Sequence, residues 1–146
     1  MKTIRVRAAA FIKKNEKLLL LQHYKNGKKY WVIPGGGVEF GEKIEDALKR
    51  ELKEELNIII NVRDLLFINE SIYPDRSRHI INLYFDCDYI KGTIKLGHEK
   101  RLSDFKFFSL NEIEKIKIYP NIKNQIKYFL ERKEIIPKYA KIPWEK

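Results

Sequence analysis

Hydrophobic residues along the chain follow a pattern typical of β-strands. Alternation of apolar and polar residues predicts a strand with one buried face, whereas the unbroken run Leu18–Leu21 predicts a strand buried on both faces. The strands are predicted at Thr3–Lys13, Lys17–Tyr24, Tyr30–Ile33, Ile58–Tyr73, His79–Tyr89 and Phe105–Phe108. The polar tip Pro74–Arg78 predicts a β-hairpin between the fourth and fifth strands, and a break is expected near Asp64.

Helices are predicted where apolar residues recur every three or four positions without Gly or Pro. They are expected at Lys43–Leu56, Leu110–Lys115 and Asn121–Lys133. Lys25–Lys29 is predicted to be a loop and Ile135–Lys146 an irregular tail, in which Trp144 anchors the chain or reaches a neighbouring subunit. This order of elements predicts an α/β fold in which a mixed sheet packs between helices.

Length and composition suit a single domain over residues 1–146, with 44% hydrophobic residues to build a core. No apolar run approaches the 18 residues or so that a membrane span needs, so we expect no membrane association. The charged N-terminus lacks the apolar stretch of a signal peptide. Cys87 stands alone and therefore cannot form an internal disulfide, which favours a cytoplasmic location.

The net charge of +10 is unevenly distributed. Residues 1–41 carry nine Lys or Arg against two acidic residues, whereas residues 42–110 carry twelve against thirteen. An acidic region in a basic frame would draw polyanions toward a cation site. Nucleic acid is one candidate polyanion, but the basic residues form no continuous block, and a lysine-rich surface that only improves solubility explains them equally well.

The segment 34–58 combines a glycine loop with an unusual helix. Pro34 and Gly35–Gly37 are expected to break any regular element, and Gly41 adds a turn. The helix arc that carries Leu48, Leu52 and Leu56 also includes Glu51 and Glu55, and Glu54 flanks it.

Carboxylates that face the protein body are costly unless a partner compensates them, and they repel one another at this spacing. A divalent cation such as Mg²⁺ would relieve both effects. The alternative is a solvated acidic face, but Lys49 and Lys53 lie on the opposite side of the helix and cannot neutralise these carboxylates.

The same segment resembles the Nudix box, G-x5-E-x7-R-E-U-x-E-E-x-G-U, where U is aliphatic. Gly36 and Glu42 occupy the first two fixed positions, and the run Arg50–Ile58 supplies the rest. Only the last glycine differs, because Asn57 stands in its place. Asn also tolerates the left-handed conformation of a helix cap, so we expect the site to remain intact.

The resemblance implies an α/β/α sandwich and an enzyme that hydrolyses a nucleoside diphosphate linked to another moiety. It assigns metal binding to the helix glutamates, with the Gly36 carbonyl as a further ligand. Glu54 is the first choice for activating water, and Arg50 is expected to pair with Glu42 and orient the carboxylates. The residues expected to be catalytic are Glu42, Arg50, Glu51 and Glu54, and the expected metal ligands are Gly36, Glu51, Glu54 and Glu55.

Residues outside the box are candidates for substrate binding. Glu99 precedes a segment similar to a family motif at residues 107–110, and it is the alternative general base. An aromatic side chain at the hairpin tip could stack a base, and arginines there could hold phosphate, although a solvated tip explains them as well. The candidates are Glu39, Tyr73, Arg76, Arg78 and Glu99, with Tyr119-Pro120 on the opposite wall.

The sequence thus favours an Mg²⁺-dependent pyrophosphohydrolase, with Mn²⁺ as a substitute. A sugar nucleotide such as ADP-ribose narrowly leads as substrate, ahead of dinucleoside polyphosphates, oxidised or ordinary nucleoside triphosphates and capped RNA. The alternative of another class is a non-catalytic module that senses a nucleotide or binds RNA. The family resemblance also suggests a homodimer.

Overall fold

The computed structural model describes residues 2–142, so the prediction for Trp144 lies outside the described residues. Strands and helices alternate along the chain in the order predicted for an α/β fold. They are β1 Ile4–Lys14, β2 Lys17–Lys25, β3 Lys28–Val32, β4 Gly35–Gly37, α1 Ile44–Leu56, β5 Ile59–Ile72, β6 His79–Lys91, β7 Leu102–Phe108, α2 Leu110–Ile113, α3 Lys123–Leu130 and β8 Tyr139–Lys141. Between residues 2 and 142, no helix is long and apolar enough to cross a membrane.

The strands of the described chain form a mixed sheet in the order β3-β2-β1-β6-β5-β8, while β4 pairs with β1 and β7 with β2. The β1–β6 and β5–β8 pairs are parallel, and the other pairs are antiparallel. The predicted mixed sheet and the β5–β6 hairpin are confirmed. The expected break near Asp64 is wrong, because β5 continues through Asp64 and only its register against β6 shifts, between Val62 and Leu65.

Hydrophobic cores lie on both faces of the sheet, as an α/β/α sandwich requires. Leu19 and Leu21 of β2 pack with Leu48 and Leu52 of α1 on one face. Leu18 and Leu20 point to the other face, where the core includes residues of α3. The four leucines of β2, Leu18–Leu21, are fully buried, which confirms that this strand is covered on both faces. Burial of each side chain contributes about 1.5–3 kcal/mol to stability.

The glycine segment corrects one prediction, because Gly35–Gly37 does not break the structure but forms strand β4 against β1. The reason is steric. A Cβ at Gly35 would lie 2.0 Å from the carbonyl oxygen of Ala8, so only glycine lets the two backbones approach this closely. The strand thereby fixes the entry into the loop that precedes α1.

Other boundaries also differ from the predictions. The loop 25–29 shrinks to a two-residue turn, because Asn26 and Gly27 both adopt positive φ and let β2 and β3 extend toward each other. The tail contains β8, which pairs with β5 although its sequence shows little alternation. Helix α1 begins one residue later than predicted, β7 begins three residues earlier, and α2 and α3 are shorter.

Candidate active site

Glu51 lies directly against the glycine strand. A Cβ at Gly36 would come within 2.2 Å of the Glu51 carboxyl carbon, so the absence of a side chain on Gly36 makes room for this carboxylate. The contact arises because β4 pairs with β1 while α1 packs on the same region of the sheet. The structure therefore brings two of the predicted metal-site residues into contact.

Glu55 is buried, with 3% of its surface exposed, and one of its carboxyl oxygens accepts a hydrogen bond from the Gly35 N–H at 3.1 Å. Burial, together with the neighbouring charge of Glu51, raises the pKa of Glu55 to about 8. A buried carboxyl group in such an apolar position needs a positive partner before it can ionise. Glu55 is thus suited to bind a cation at the buried side of the site.

Arg50 holds the loop and the helix together. It pairs with Glu42 in a two-pronged arrangement, with Nε 2.9 Å from Oε2 and Nη2 3.0 Å from Oε1, as the resemblance implied. It also donates to Glu51 Oε1 at 2.9 Å and to the Gly37 carbonyl at 3.1 Å, and it lies 3.6 Å from Glu54. These bonds lower the pKa of Glu42 and raise that of Arg50.

The chemistry of this acidic end fits a divalent cation. Glu51, Glu54 and Glu55 offer the hard oxygen atoms that Mg²⁺ prefers. Over residues 2–142, no three acidic, His or Cys side chains already converge as a cage, because Arg50 binds Glu51 and Glu54 while Glu55 faces Gly35. A metal here would be held by those glutamates, and Gly36 stays a predicted further ligand, paired with Ala8 across β4 and β1.

A cleft of about 780 Å³ opens from this acidic end. Several of the residues predicted from the sequence line it, including the Tyr119-Pro120 wall. The predicted residues in its lining are Gly36, Glu51, Tyr73, Arg78, Glu99, Tyr119 and Pro120. The other predicted residues are not in this lining; they are Glu39, Glu42, Arg50, Glu54, Glu55 and Arg76. Arg76 occupies the exposed turn with φ 61°, and the Glu39 N–H donates to the Glu42 carboxylate.

Glu99 is held near the end of α1. The Gly97 N–H donates to the Glu55 carbonyl at 2.8 Å, and a Cβ at Gly97 would lie 2.2 Å from the Glu54 carbonyl oxygen. This close packing brings the loop that carries Glu99 onto the helix. The exposed Glu99 carboxylate then pairs with Arg101 at 2.7 Å on the rim of the cleft.

A group of basic residues in the cleft lining, which we call the cationic wall, was not among the residues predicted from the sequence. It consists of Arg5, Arg7, Lys25, Lys28 and Arg101. Arg7 is half-buried, and its guanidinium donates to Asn82 Oδ1 at 3.2 Å. Among residues 2–142, no carboxylate forms an ion pair with Arg7. The available signal was the placement of two arginines at alternate positions of an otherwise apolar strand.

His23 was also missed, and it lines the same cleft. Only 7% of it is exposed, and within the described chain its Nε2 atom has no hydrogen-bond partner. Burial, together with the nearby charges of Arg101, Arg7 and Lys25, lowers its pKa to about 4, so the ring is neutral near pH 7. A buried polar atom without a partner costs about 1–3 kcal/mol, which marks His23 as a residue kept at some cost to stability.

Aromatic rings continue the cleft beyond His23. The His23 ring meets Tyr30 edge to face at 5.6 Å, and Tyr30 meets Tyr119 in the same way at 5.1 Å. Tyr30 lies opposite His23 in the β2–β3 register, so both side chains emerge on one face. The cleft thus combines a carboxylate, cations and half-buried aromatic rings.

Comparison with known proteins identifies the class to which this fold and site belong. A family profile described as NUDIX domain matches residues 2–129. A protein named ADP-ribose pyrophosphatase from Methanocaldococcus jannaschii is 38% identical over 106 residues, which cover 72% of this chain and 62% of that protein. The nucleoside triphosphatase NudI of Escherichia coli O139:H28 is 36% identical over 78 residues, which cover 47% of this chain and 55% of NudI.

Solved structures agree with the sequence match. The MutT NUDIX hydrolase from Burkholderia pseudomallei superimposes with a TM-score of 0.76 at 22% identity, over 86% of this chain and 98% of that one. The E. coli ORF135 protein gives 0.75 at 26% identity, over 89% and 91%. The chain belongs to the NUDIX domain family, which confirms the predicted family and fold. It spans less than two thirds of the lengths of the two curated relatives described above.

Proposed function

We propose that the protein is a Mg²⁺-dependent hydrolase of phosphoric anhydrides in nucleotide-derived substrates. The observation that carries this proposal is the cleft in which Glu51 of α1 lies together with the cationic wall, where Arg7 has a neutral amide partner and, within residues 2–142, no ion pair. Carboxylates can bind a metal ion, and basic side chains can bind a diphosphate. Both kinds of group lie in this cleft, so it can hold a metal ion next to an anhydride bond. A bound Mg²⁺ would offset phosphate charge and lower the pKa of a coordinated water.

The residues of the chain have separable roles in this proposal. Glu54, whose side chain is 59% exposed, is accessible as the base that takes a proton from the attacking water. Arg50 keeps the carboxylates in place through Glu42 and the Gly37 carbonyl. The cationic wall binds the diphosphate, and Tyr73 or the Tyr30–Tyr119 pair offers a surface on which a base can stack.

A second assignment of the general base is Glu99, because it lines the cleft and packs next to the end of α1. Its ion pair with Arg101 would have to open before it could accept a proton. Glu54 is the preferred base, because its own contact with a cation, Arg50, is longer at 3.6 Å. Glu39 and Arg76 stay predictions as substrate-binding residues and lie outside the cleft lining.

An ADP-ribose-type sugar nucleotide is the favoured substrate. The support is the name of the M. jannaschii relative and a cleft volume within the range of about 300–1,000 Å³ typical of ligand sites. The name of NudI supports nucleoside triphosphates as the second candidate. Dinucleoside polyphosphates and a capped RNA end follow, and Mn²⁺ is expected to replace Mg²⁺.

The test is product release from a substrate panel with Mg²⁺, with Mn²⁺ and with excess EDTA. We expect AMP and ribose 5-phosphate from ADP-ribose with either metal and none with EDTA. Tight binding of a nucleotide without any turnover would instead support the non-catalytic sensing module. A homodimer stays a family-based prediction, which a solution mass measurement can check.

A further inference from the structure

A chain of hydrogen bonds runs from the cationic wall into the sheet. Arg7 Nη1 donates to Asn82 Oδ1 at 3.2 Å, and Asn82 Nδ2 donates to Asn69 Oδ1 at 3.0 Å. Asn69 Nδ2 then donates to Ser71 Oγ at 3.1 Å, and Ser71 Oγ donates to the Ile142 carbonyl at 3.0 Å. Every bond is donated in the same direction, so each group fixes the orientation of the one before it.

The amides of this chain are deeply buried. Asn69 is 0% and Asn82 is 3% exposed, and they lie opposite each other in the β5–β6 register. A buried amide lowers stability unless its donors and acceptors form hydrogen bonds. Apolar residues at these positions would avoid that cost. If the Asn69–Asn82 pair served only to stabilise the sheet, it would not need a hydrogen bond from an arginine. Asn82 Oδ1, however, is occupied by Arg7.

A neutral acceptor affects an arginine differently from a carboxylate. An amide oxygen fixes the direction of the guanidinium without cancelling its charge, whereas a carboxylate partner would compete with an incoming anion. Arg7 has the amide contact and, over residues 2–142, no ion pair. Its full charge is therefore left for a ligand in the cleft that it lines.

We propose that Asn82, held by Asn69 and Ser71, is a positioning residue that orients Arg7 toward a phosphate group of the substrate. The inference rests on the proposed function, because it takes Arg7 as a phosphate-binding residue. The chain ends at Ile142, which follows β8 and lies beyond residues 2–129 matched by the family profile. The C-terminal strand is thereby tied to the substrate cleft.

The structure supplies a matched control at the same acceptor atom. The Tyr84 hydroxyl also donates to Asn69 Oδ1 at 3.0 Å, but it is a side branch that does not lead to Arg7. Tyr84 is 2% exposed, so its hydrogen bond is as buried as that of Asn82. Tyr84→Phe therefore removes a comparable bond from the network and leaves the link between Asn82 and Arg7 intact.

The experiment measures ADP binding by calorimetry in EDTA for the wild type, Arg7→Met, Asn82→Leu, the double variant and Tyr84→Phe, with thermal melts for each. Arg7→Met is expected to weaken binding about 10- to 100-fold and Asn82→Leu about 10-fold. The double variant should bind no more weakly than Arg7→Met alone, because Asn82 acts through Arg7. Tyr84→Phe should stay within about twofold of the wild type.

Two results would overturn the inference. One is multiplicative losses in the double variant, and the other is an equal loss in Asn82→Leu and Tyr84→Phe. Ser71→Ala breaks the chain at its far end and gives a second test, with an expected loss of about two- to fivefold. Binding of ADP needs no turnover, so the failure of all hydrolysis assays would contradict the proposed function without deciding this result. Unchanged binding in Arg7→Met would contradict the inference at its first step.

Discussion

The acidic end and the cationic wall of the cleft are built in opposite ways. Every group of the acidic end comes from one stretch, residues 36–55, and Arg50 connects its parts at 2.9–3.1 Å. The wall is assembled from several elements, namely Arg5 and Arg7 of β1, Lys25 of β2, Lys28 of β3, and Arg101 from the loop before β7. These residues are distant in sequence, and they lie close together only because the strands that carry them are neighbours in the folded sheet.

The two regions also differ in electrostatic state. The acidic end already contains a cation, Arg50, which compensates Glu42 and Glu51. The wall contains Arg7, a half-buried guanidinium on a neutral amide, and the same cleft contains His23, whose buried Nε2 atom has no partner in the described chain. At the acidic end the carboxylates outnumber Arg50, which suits a metal, whereas the positive charge of the wall suits an anion. This contrast leads us to assign chemistry to the first and binding to the second.

The largest effect is expected from Glu54→Gln. The substitution keeps the size of the side chain and removes its charge and basicity, so turnover should fall about 10²- to 10⁴-fold. ADP binding to the wall should be unchanged. Single-turnover hydrolysis at saturating Mg²⁺ measures this directly.

The control for that prediction is Glu45→Gln, because Glu45 is an exposed residue in the first turn of α1 that lies 4.0 Å from Lys49 and outside the cleft lining. Its turnover should match the wild type. Glu99→Gln is the competing variant, and a large loss there beside a mild one at Glu54 would move the general base to the rim of the cleft.

The next largest effect is expected from Arg7→Met, which should raise KM about 10- to 100-fold while kcat changes by no more than a few-fold. The reason is that charge-assisted bonds to phosphate are worth about 1.5–3 kcal/mol and act on the bound substrate generally. Arg63→Met is the matched control, because Arg63 is exposed and pairs with Asp88 outside the cleft lining. A loss confined to kcat would instead place Arg7 at the reacting phosphorus.

The placement of the three glutamates on one helix could be predicted from sequence for a physical reason, and their binding of a metal stays a prediction. Metal-ligand spacing on one helix depends only on helical geometry, so Glu51, Glu54 and Glu55 could be placed before any tertiary structure was known. Arg7 and His23 could not be placed in this way, since their importance lies in partners that β6 and β7 bring to them. Strand β4 was missed for a related reason, because Gly35 pairs with β1 through an approach that only the folded backbone makes visible.

A smaller effect is expected on stability from His23→Phe. The phenyl ring keeps the edge-to-face contact with Tyr30 and removes the Nε2 atom that lacks a partner, so the free energy of unfolding should rise by about 1–3 kcal/mol. Chemical denaturation at pH 7 measures it. A lower stability would show that the nitrogen is satisfied in solution.

The same variant should change the pH dependence of stability. The pKa of His23 is about 4 in the folded protein against 6.5 when unperturbed, so the unfolded chain binds more protons in that interval. His23 therefore makes the wild type lose stability as pH falls from about 6.5 to about 4, with Arg101, Arg7 and Lys25 as the facing charges. The loss should be shallower in His23→Phe, and parallel curves would contradict the assignment.

The smallest effect is expected from Asn57→Gly. Asn57 ends α1 in the left-handed conformation with φ 60°, which glycine adopts without cost. The exposed bonds to Lys53 and to the Thr93 carbonyl would be lost, and these contribute little in water. Turnover should stay within about twofold, and a tenfold loss would mean that Asn57 does more than cap the helix.

Mn²⁺ binding, followed by electron paramagnetic resonance, tests the division between the two ends of the cleft most directly. The wild type should bind Mn²⁺, Glu51→Gln should bind it at least about tenfold more weakly, and Arg7→Met should bind it as the wild type does. The opposite pattern, with Mn²⁺ affinity unchanged by Glu51→Gln, would contradict the assignment of metal chemistry to the acidic end.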